Sequence, residues 1–250
     1  MRERVKISTK FGAEPRDAGD WPASRTGLSR DAIRTQFESS LRRLGTDHVE
    51  LAWAHMEDRS VPIEKTAEAM AELVSEGRAG RIGTSNHPAW RVERARAHAR
   101  SLGIEPITAL QHSRTFLQTR PGIRPPAQNH RFGVLTDELL DLARVEDLEI
   151  WAYTALLSGA YDNPAKSFEE VYDHPAPRRL AVLDEVAAET GLTRGQVVLS
   201  WLAGSTPVTR PILGGSKLDQ LDAALVAVAY DLPAELRARL DAVEREQEIE

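Results

Sequence analysis

Six polar residues interrupt or end short apolar segments of this chain: Lys10, His55, Ser85, Asn86, Gln111 and Tyr153. Each residue type suits a definite task. An ammonium and an imidazole can tune or move a proton on an oxygen. A hydroxyl, two carboxamides and an aromatic face can fix a planar heteroaromatic ring by its polar substituent and its π face. A second group, Gly214, Gly215, Ser216 and Lys217, sets a cation and open backbone amides ahead of a helix, a combination suited to phosphate. Alone, that group reads better as a Gly-rich turn with a solvated lysine. The chain has no cysteine, which removes thiol nucleophiles, disulfides, zinc ribbons and iron–sulfur ligation together.

The elements that must position these residues alternate in type. Apolar, β-branched runs predict strands at residues 5–10, 49–55, 81–86, 107–111, 149–153 and 209–213. Between them, Ser29 caps a helix with Ile33, Phe37, Leu41 and Leu44 on one face. Pro62 opens a helix carrying Ile63, Ala67, Met70, Leu73 and Val74, and Gly77 ends it. Thr193 and Gln196 form a capping box ahead of Val197, Val198, Trp201 and Leu202, and Leu232 with Pro233 opens a last helix bearing Leu236, Leu240 and Val243. The alternation predicts an α/β fold with a parallel sheet. In a (β/α) barrel the C-terminal strand ends form one rim, where active sites are built. A single strand-end His or Gln is usually structural, but the same pattern on five strands favours a site. Long connections at 11–28, 113–133 and 157–175 follow strand ends, where functional loops lie. The middle one, rich in Pro, Arg and Gln, reads as a lid or substrate loop, or as variable surface.

A hydrophobic content of 41% and a net charge of −6 describe an ordinary globular chain, taken as a single domain over 1–250. No basic stripe points to nucleic acid. No long apolar run and no signal-peptide core point to a membrane, so a cytoplasmic location is expected. The charged runs 91–100 and 235–250 read as solvent-facing helix surfaces.

At the residues singled out above, the sequence resembles the aldo-keto reductase family. VKISTKFG is similar to the family strand ending in its catalytic lysine, which implies that role for Lys10. LRRLGTDHVELAWAHMED resembles the passage presenting the catalytic histidine, here His55. GRAGRIGTSNH implies that Ser85 and Asn86 hold a nicotinamide carboxamide, with Gln111 as its third ligand. WAYTAL implies that Tyr153 stacks on the nicotinamide, with Thr154, Ser158 and Gly159 along the pyrophosphate. RPILGGSKLDQL implies that Gly215, Ser216, Lys217 and Gln220 grip the 2′-phosphate of NADPH. Where the family commonly has Glu-Asn a turn later, this chain has Ala223 and Ala224. The resemblance implies a TIM-type (β/α)8 barrel with about six of its eight βα units present, N-terminally incomplete.

The units not found are the two that, by the resemblance, carry the family's aspartate and proton-donating tyrosine. The tyrosines here are Tyr153, Tyr161, Tyr172 and Tyr230, none ahead of Lys10; Tyr161 or Tyr172 is a weak substitute on a rim loop. The expected function is NADPH-dependent reduction of an aldehyde or ketone, slow or absent in this form, with a small carbonyl compound as partner. The alternative is an NADP-binding sensor, subunit or repurposed barrel. If the short chain is what the cell makes, a homo-oligomer is expected. A metal-hydrolase reading on His55, His87 and His112 near Glu57 and Asp58 lacks close ligand spacing, so no metal is expected. His48, His98, His130 and His174 read as solvated or structural, and Trp21, Trp53, Trp90 and Phe116 as pocket lining or core.

Overall fold

In the computed structural model the described residues are 4–17, 19, 24–118, 132–166, 168 and 176–245. They fall into two compact units, 1–111 with 132–149 and 112–131 with 150–250.

The first unit contains β1 (Ser8–Phe11), α1 (Arg30–Leu44), β2 (Leu51–Ala54), α2 (Ile63–Ser75), β3 (Ile82–Ser85), α3 (Ala89–Leu102), the start of β4 (Ala109–Ser113) and α4 (Asp137–Val145). Its strands are parallel and adjacent in chain order. The register pairs Lys10 with Trp53, Trp53 with Gly83 and Gly83 with Ala109, so these four form one layer on one face. Side chains alternate along a strand, so the layer above, on the same face, takes Ser85 opposite Gln111 and, beyond the end of β2, His55. Gly83 is required by this layer. A Cβ there would lie 2.6 Å from the Trp53 ring and 3.0 Å from the Ala109 carbonyl. On the other side of the strands, α1 supplies Ile33, Phe37 and Leu41 to the core, and Phe37 meets Phe11 edge to face at 6.3 Å. Ser29 caps α1 through Ala32 N–H, and Gly45 ends it in the left-handed conformation.

The second unit holds the rest of β5 (Glu149–Tyr153), a 3-10 turn at Leu157–Gly159, α5 (Ala176–Thr190), α6 (Arg194–Ala203), β6 (Thr209–Pro211), α7 (Leu218–Ala229) and α8 (Ala234–Arg245). β5 pairs with β6 in parallel, Ile150 opposite Thr209. The Thr193–Gln196 capping box forms as expected. Trp201, Leu202, Leu236 and Leu240 make a core with Phe116, whose ring stands edge-on to Trp201 at 5.4 Å.

The six expected strands are all present, with shifted ends. β1 starts at Ser8, leaving Val5 outside and 51% exposed; β2 starts at Leu51, β4 runs on to Ser113, and β6 stops at Pro211. Pro62 is the N-cap residue of α2 rather than part of its first turn, and Leu44 turns to solvent. The run 91–100 is not a solvated face throughout: Arg91 and Arg96 are buried. Arg96 binds the Ile107 carbonyl and Glu146, while Arg91 donates to the Asp58 carbonyl and lies 3.6 Å from the Glu57 carboxylate. Buried guanidinium groups are tolerated because acceptors remote in sequence meet them. Of the run 235–250, Leu236, Leu240 and Val243 pack inward, and 246–250 lie outside the described residues. No helix among the described residues is long and apolar enough to cross a membrane.

The Gly83–Trp53 contact gives a test of the layer. Gly83→Ala is expected to lower unfolding free energy in urea by about 1–3 kcal/mol through overpacking, with Trp53→Phe recovering part of the loss. An unaltered midpoint in Gly83→Ala contradicts the packing described.

Candidate active site

Lys10, His55, Ser85 and Gln111 reach one face of the first unit because four parallel strands end there in register. Lys10 is exposed and His55 half-buried, whereas Ser85, Asn86 and Gln111 are buried. Asn86 has a left-handed φ of 61°, a conformation Asn tolerates better than most residues. Its Nδ2 donates to the His55 carbonyl at 2.9 Å and to Ser85 Oγ at 3.0 Å, tying the ends of β2 and β3 together. Its backbone N–H donates to the Gln111 carbonyl at 3.3 Å, which extends the tie to β4. The carboxylates that follow His55 are committed. Glu57 pairs with Arg59 and Arg91, and Asp58 accepts from Leu28 N–H and from both the N–H and hydroxyl of Ser60.

The side chains of Lys10, His55 and Gln111 have no hydrogen-bond or ion-pair partner among the described residues. Lys10 meets solvent, His55 is half-buried and Gln111 is buried, so the three present unpaired polar groups on one rim at different depths. The electrostatics agree. Burial first, then the charges of Lys10 and Arg25, lower the His55 pKa to about 4, so the imidazole is neutral at neutral pH. Partial desolvation draws the Lys10 ammonium below the ordinary lysine value. This rim can offer an oxygen a neutral N–H donor and an ammonium that releases its proton more readily than a free lysine.

The second unit carries a cleft of about 760 Å³. Thr154, Ser158, Gly159, Gly215, Ser216 and Gln220 all line it. Thr154, Leu157, Ser158 and Gly159 have positive φ values of 59°, 48°, 56° and 86°. For a β-branched residue such as Thr154 that conformation is strained, and such strain clusters at ligand sites. Lys166 also lines the cleft, its ammonium held by the Ser158 carbonyl. Gln220 Oε1 accepts from Ser216 N–H at 2.9 Å, shaping the turn that enters α7. Asp162 lies on the wall, but Gly195 N–H and the Thr193 hydroxyl occupy its carboxylate.

Lys217 stands at the N-cap position of α7 outside the cleft lining, and Tyr153 is half-buried at the end of β5, also outside it. Ala223 and Ala224 do line it, so that wall lacks the polar pair. Tyr161 is no substitute acid: it is buried, its hydroxyl lies 2.7 Å from Thr115 Oγ1 and accepts from Leu117 N–H. Tyr172, Trp21, His130 and His174 lie outside the described residues, as does 119–131 of the middle loop. Trp53 and Phe116 are core, and Trp90 is half exposed. His87 donates through Nδ1 to the Ser85 carbonyl, and no group of three metal-ligating side chains occurs among the described residues. Two residues escaped the sequence reading, Arg25 and Lys166, because neither lies at a strand end. A larger hollow of about 900 Å³ in the first unit lies among residues preceding β2 and β3 and contains none of the rim residues.

Comparison with known proteins shows the family and the fold. Residues 1–245 match the Aldo/keto reductase family. The uncharacterized oxidoreductase YrpG of Bacillus subtilis (strain 168) is 29% identical over 242 residues, covering 96% of this chain and 72% of that protein. The aryl-alcohol dehydrogenase GME11368 of Pestalotiopsis microspora is 26% identical, over 94% of this chain and 59% of its own length. The crystal structure of the thermostable aldo-keto reductase Tm1743 with the inhibitor epalrestat matches with a TM-score of 0.72 and 26% identity, over 97% of this chain and 73% of that one.

The neutral state of His55 is directly measurable. Its folded pKa lies below the unfolded value of 6.5, so the unfolded chain binds the proton first, and His55 withdraws stability as pH falls from about 6.5 to about 4. An NMR titration of His55 is expected to give a midpoint near 4, raised in Lys10→Met but still below 6.5 because burial is the larger cause. A midpoint near 6.5, indifferent to Lys10, contradicts this electrostatic description.

Proposed function

The chain belongs to the aldo/keto reductase family, and on that footing we propose that it is an NADPH-dependent reductase of aldehydes or ketones. Its fold class, α/β of the aldo-keto reductase barrel type, and its kinship with oxidoreductases are established by the same matches. The observation that carries the finer reading is the open set of Lys10, His55 and Gln111 on one rim.

The residues present fit a dinucleotide. The cleft of the second unit combines left-handed backbone, the Thr154 and Ser158 hydroxyls and the Lys166 ammonium, a donor set suited to phosphates. Gly215, Ser216, Lys217 and Gln220 would take the 2′-phosphate, and Ala223 with Ala224 would offer the adenine no side-chain hydrogen bond. Ser85, Asn86 and Gln111 would hold the carboxamide, and Tyr153 would supply the aromatic face for the ring. When bound, NADPH supplies the hydride that reduces the carbonyl carbon.

The chain's own groups act on the carbonyl oxygen. His55, neutral, donates a hydrogen bond that orients the carbonyl. Lys10 stabilises the negative charge developing on oxygen and, with its lowered pKa, can pass it a proton. General-acid help of this kind is worth about 10²–10⁴-fold in rate. The cleft of the second unit, whose lining contains neither Lys10 nor His55, also supports a second reading, an NADP-binding protein that transfers no hydride.

One experiment separates the two. NADPH is titrated by fluorescence, and deuteride transfer from 4-deuterated NADPH to a panel of aldehydes is followed by mass spectrometry over hours. The proposal expects binding, deuterium incorporation, its loss in Lys10→Met, and a much larger loss of NADPH than of NADH affinity in Lys217→Glu. Binding with no incorporation selects the second reading; failure to bind NADPH overturns both.

A further inference from the structure

Arg25 is not accounted for by the reading above, and its setting is specific. The segment 24–28 is clamped at the rim of the first unit. Thr26 N–H donates to the Glu14 carbonyl at 2.9 Å, Leu28 N–H to Asp58 Oδ2 at 2.9 Å, and the Thr66 hydroxyl to the Leu28 carbonyl at 3.2 Å. Gly27, at φ 77°, lies so close to Asp58 that a Cβ would fall 2.5 Å from its carboxylate. This fixes Arg25 beside the passage that carries His55, near enough for its charge to act on the imidazole.

Arg25 is half-buried and has no acidic partner among the described residues. Most arginines of this unit do, among them Arg30, Arg34, Arg59, Arg78, Arg81, Arg94 and Arg96. The acids nearby are engaged: Glu57 with Arg59 and Arg91, Asp58 with Leu28 and Ser60, and Glu14 with Arg43 at 3.6 Å, while Asp17 stands exposed. The neighbouring Ser24 hydroxyl is buried and also lacks a partner among the described residues. Lys10 and Arg25 thus each lack an ion-pair partner among the described residues, the Asp58 carboxylate beside them being hydrogen-bonded to Leu28 and Ser60. A half-buried guanidinium with no acidic partner is a receptor for an oxyanion.

We propose that Arg25 anchors a carboxylate or phosphate carried by the carbonyl substrate, making this rim selective for anionic aldehydes or ketones. Lys10 and His55 remain for the carbonyl at the other end of the molecule. The proposal rests on the reductase reading and names its substrate class.

The test compares butanal, 4-oxobutanoate and glycolaldehyde phosphate in the deuteride-transfer assay, using wild type, Arg25→Gln and Arg25→Lys. A charge-assisted contact predicts a preference of about 10- to 100-fold in kcat/KM for an anionic substrate over butanal. Arg25→Gln is expected to collapse that ratio through KM and Arg25→Lys to restore part of it; the two anionic substrates distinguish carboxylate from phosphate. Equal losses for butanal and the anionic aldehydes overturn the proposal, as does a change in NADPH affinity that accounts for the whole effect. A second arm needs no turnover: the His55 ring resonances are followed while succinate, then inorganic phosphate, is added. A saturable shift in wild type, abolished in Arg25→Gln, supports the anchor even if no aldehyde is reduced. No shift in folded wild type overturns it while leaving the reductase reading intact.

Discussion

The parallel register of β1 to β4 sets Lys10, Trp53, Gly83 and Ala109 in one layer and His55, Ser85 and Gln111 in the next. Everything chemical in the first unit depends on it. A slip of one residue in any pair would turn that strand's polar end to the opposite face, because side chains alternate along a strand. The register is held by packing. Only a hydrogen at position 83 leaves room for the Trp53 ring, and that ring in turn fills the layer beneath the polar one.

Above the packed layer, the protein holds its loops by hydrogen bonds and leaves chosen groups open. Asn86, in a left-handed conformation, braces the His55 carbonyl and the Ser85 hydroxyl, and Asp58 gathers Leu28 and Ser60. The neutral imidazole is a consequence of that arrangement. Burial and two adjacent cations deny His55 its proton, and the Glu57 and Asp58 carboxylates that could restore it are engaged elsewhere. The second unit follows the same logic with backbone rather than side chains, concentrating left-handed residues where its cleft opens.

Much of this was legible in the residues. β-branched runs placed the six strands, and Ser29 and the Thr193–Gln196 pair marked two helix starts through purely local chemistry. Polar residues at successive strand ends were visible because the period of two is strict. What escaped depends on partners distant in sequence. Arg91 and Arg96 look like a solvated basic face, and only the folded chain brings Glu57, Glu146 and the Ile107 carbonyl to them. Tyr161 looked available for chemistry until Thr115 and Leu117 closed on its hydroxyl. Arg25 and Lys166 carry no local signal, since each gains its meaning from a loop geometry that periodicity does not encode.

We propose that the rim formed by Lys10, His55, Ser85 and Gln111 is where hydride meets a carbonyl. A crystal structure of the chain with NADP⁺ tests it most directly. The nicotinamide carboxamide is expected within hydrogen-bonding distance of Ser85 and Gln111, with the reactive ring carbon turned toward Lys10 and His55. A nicotinamide ordered elsewhere, with those four side chains untouched, would contradict it.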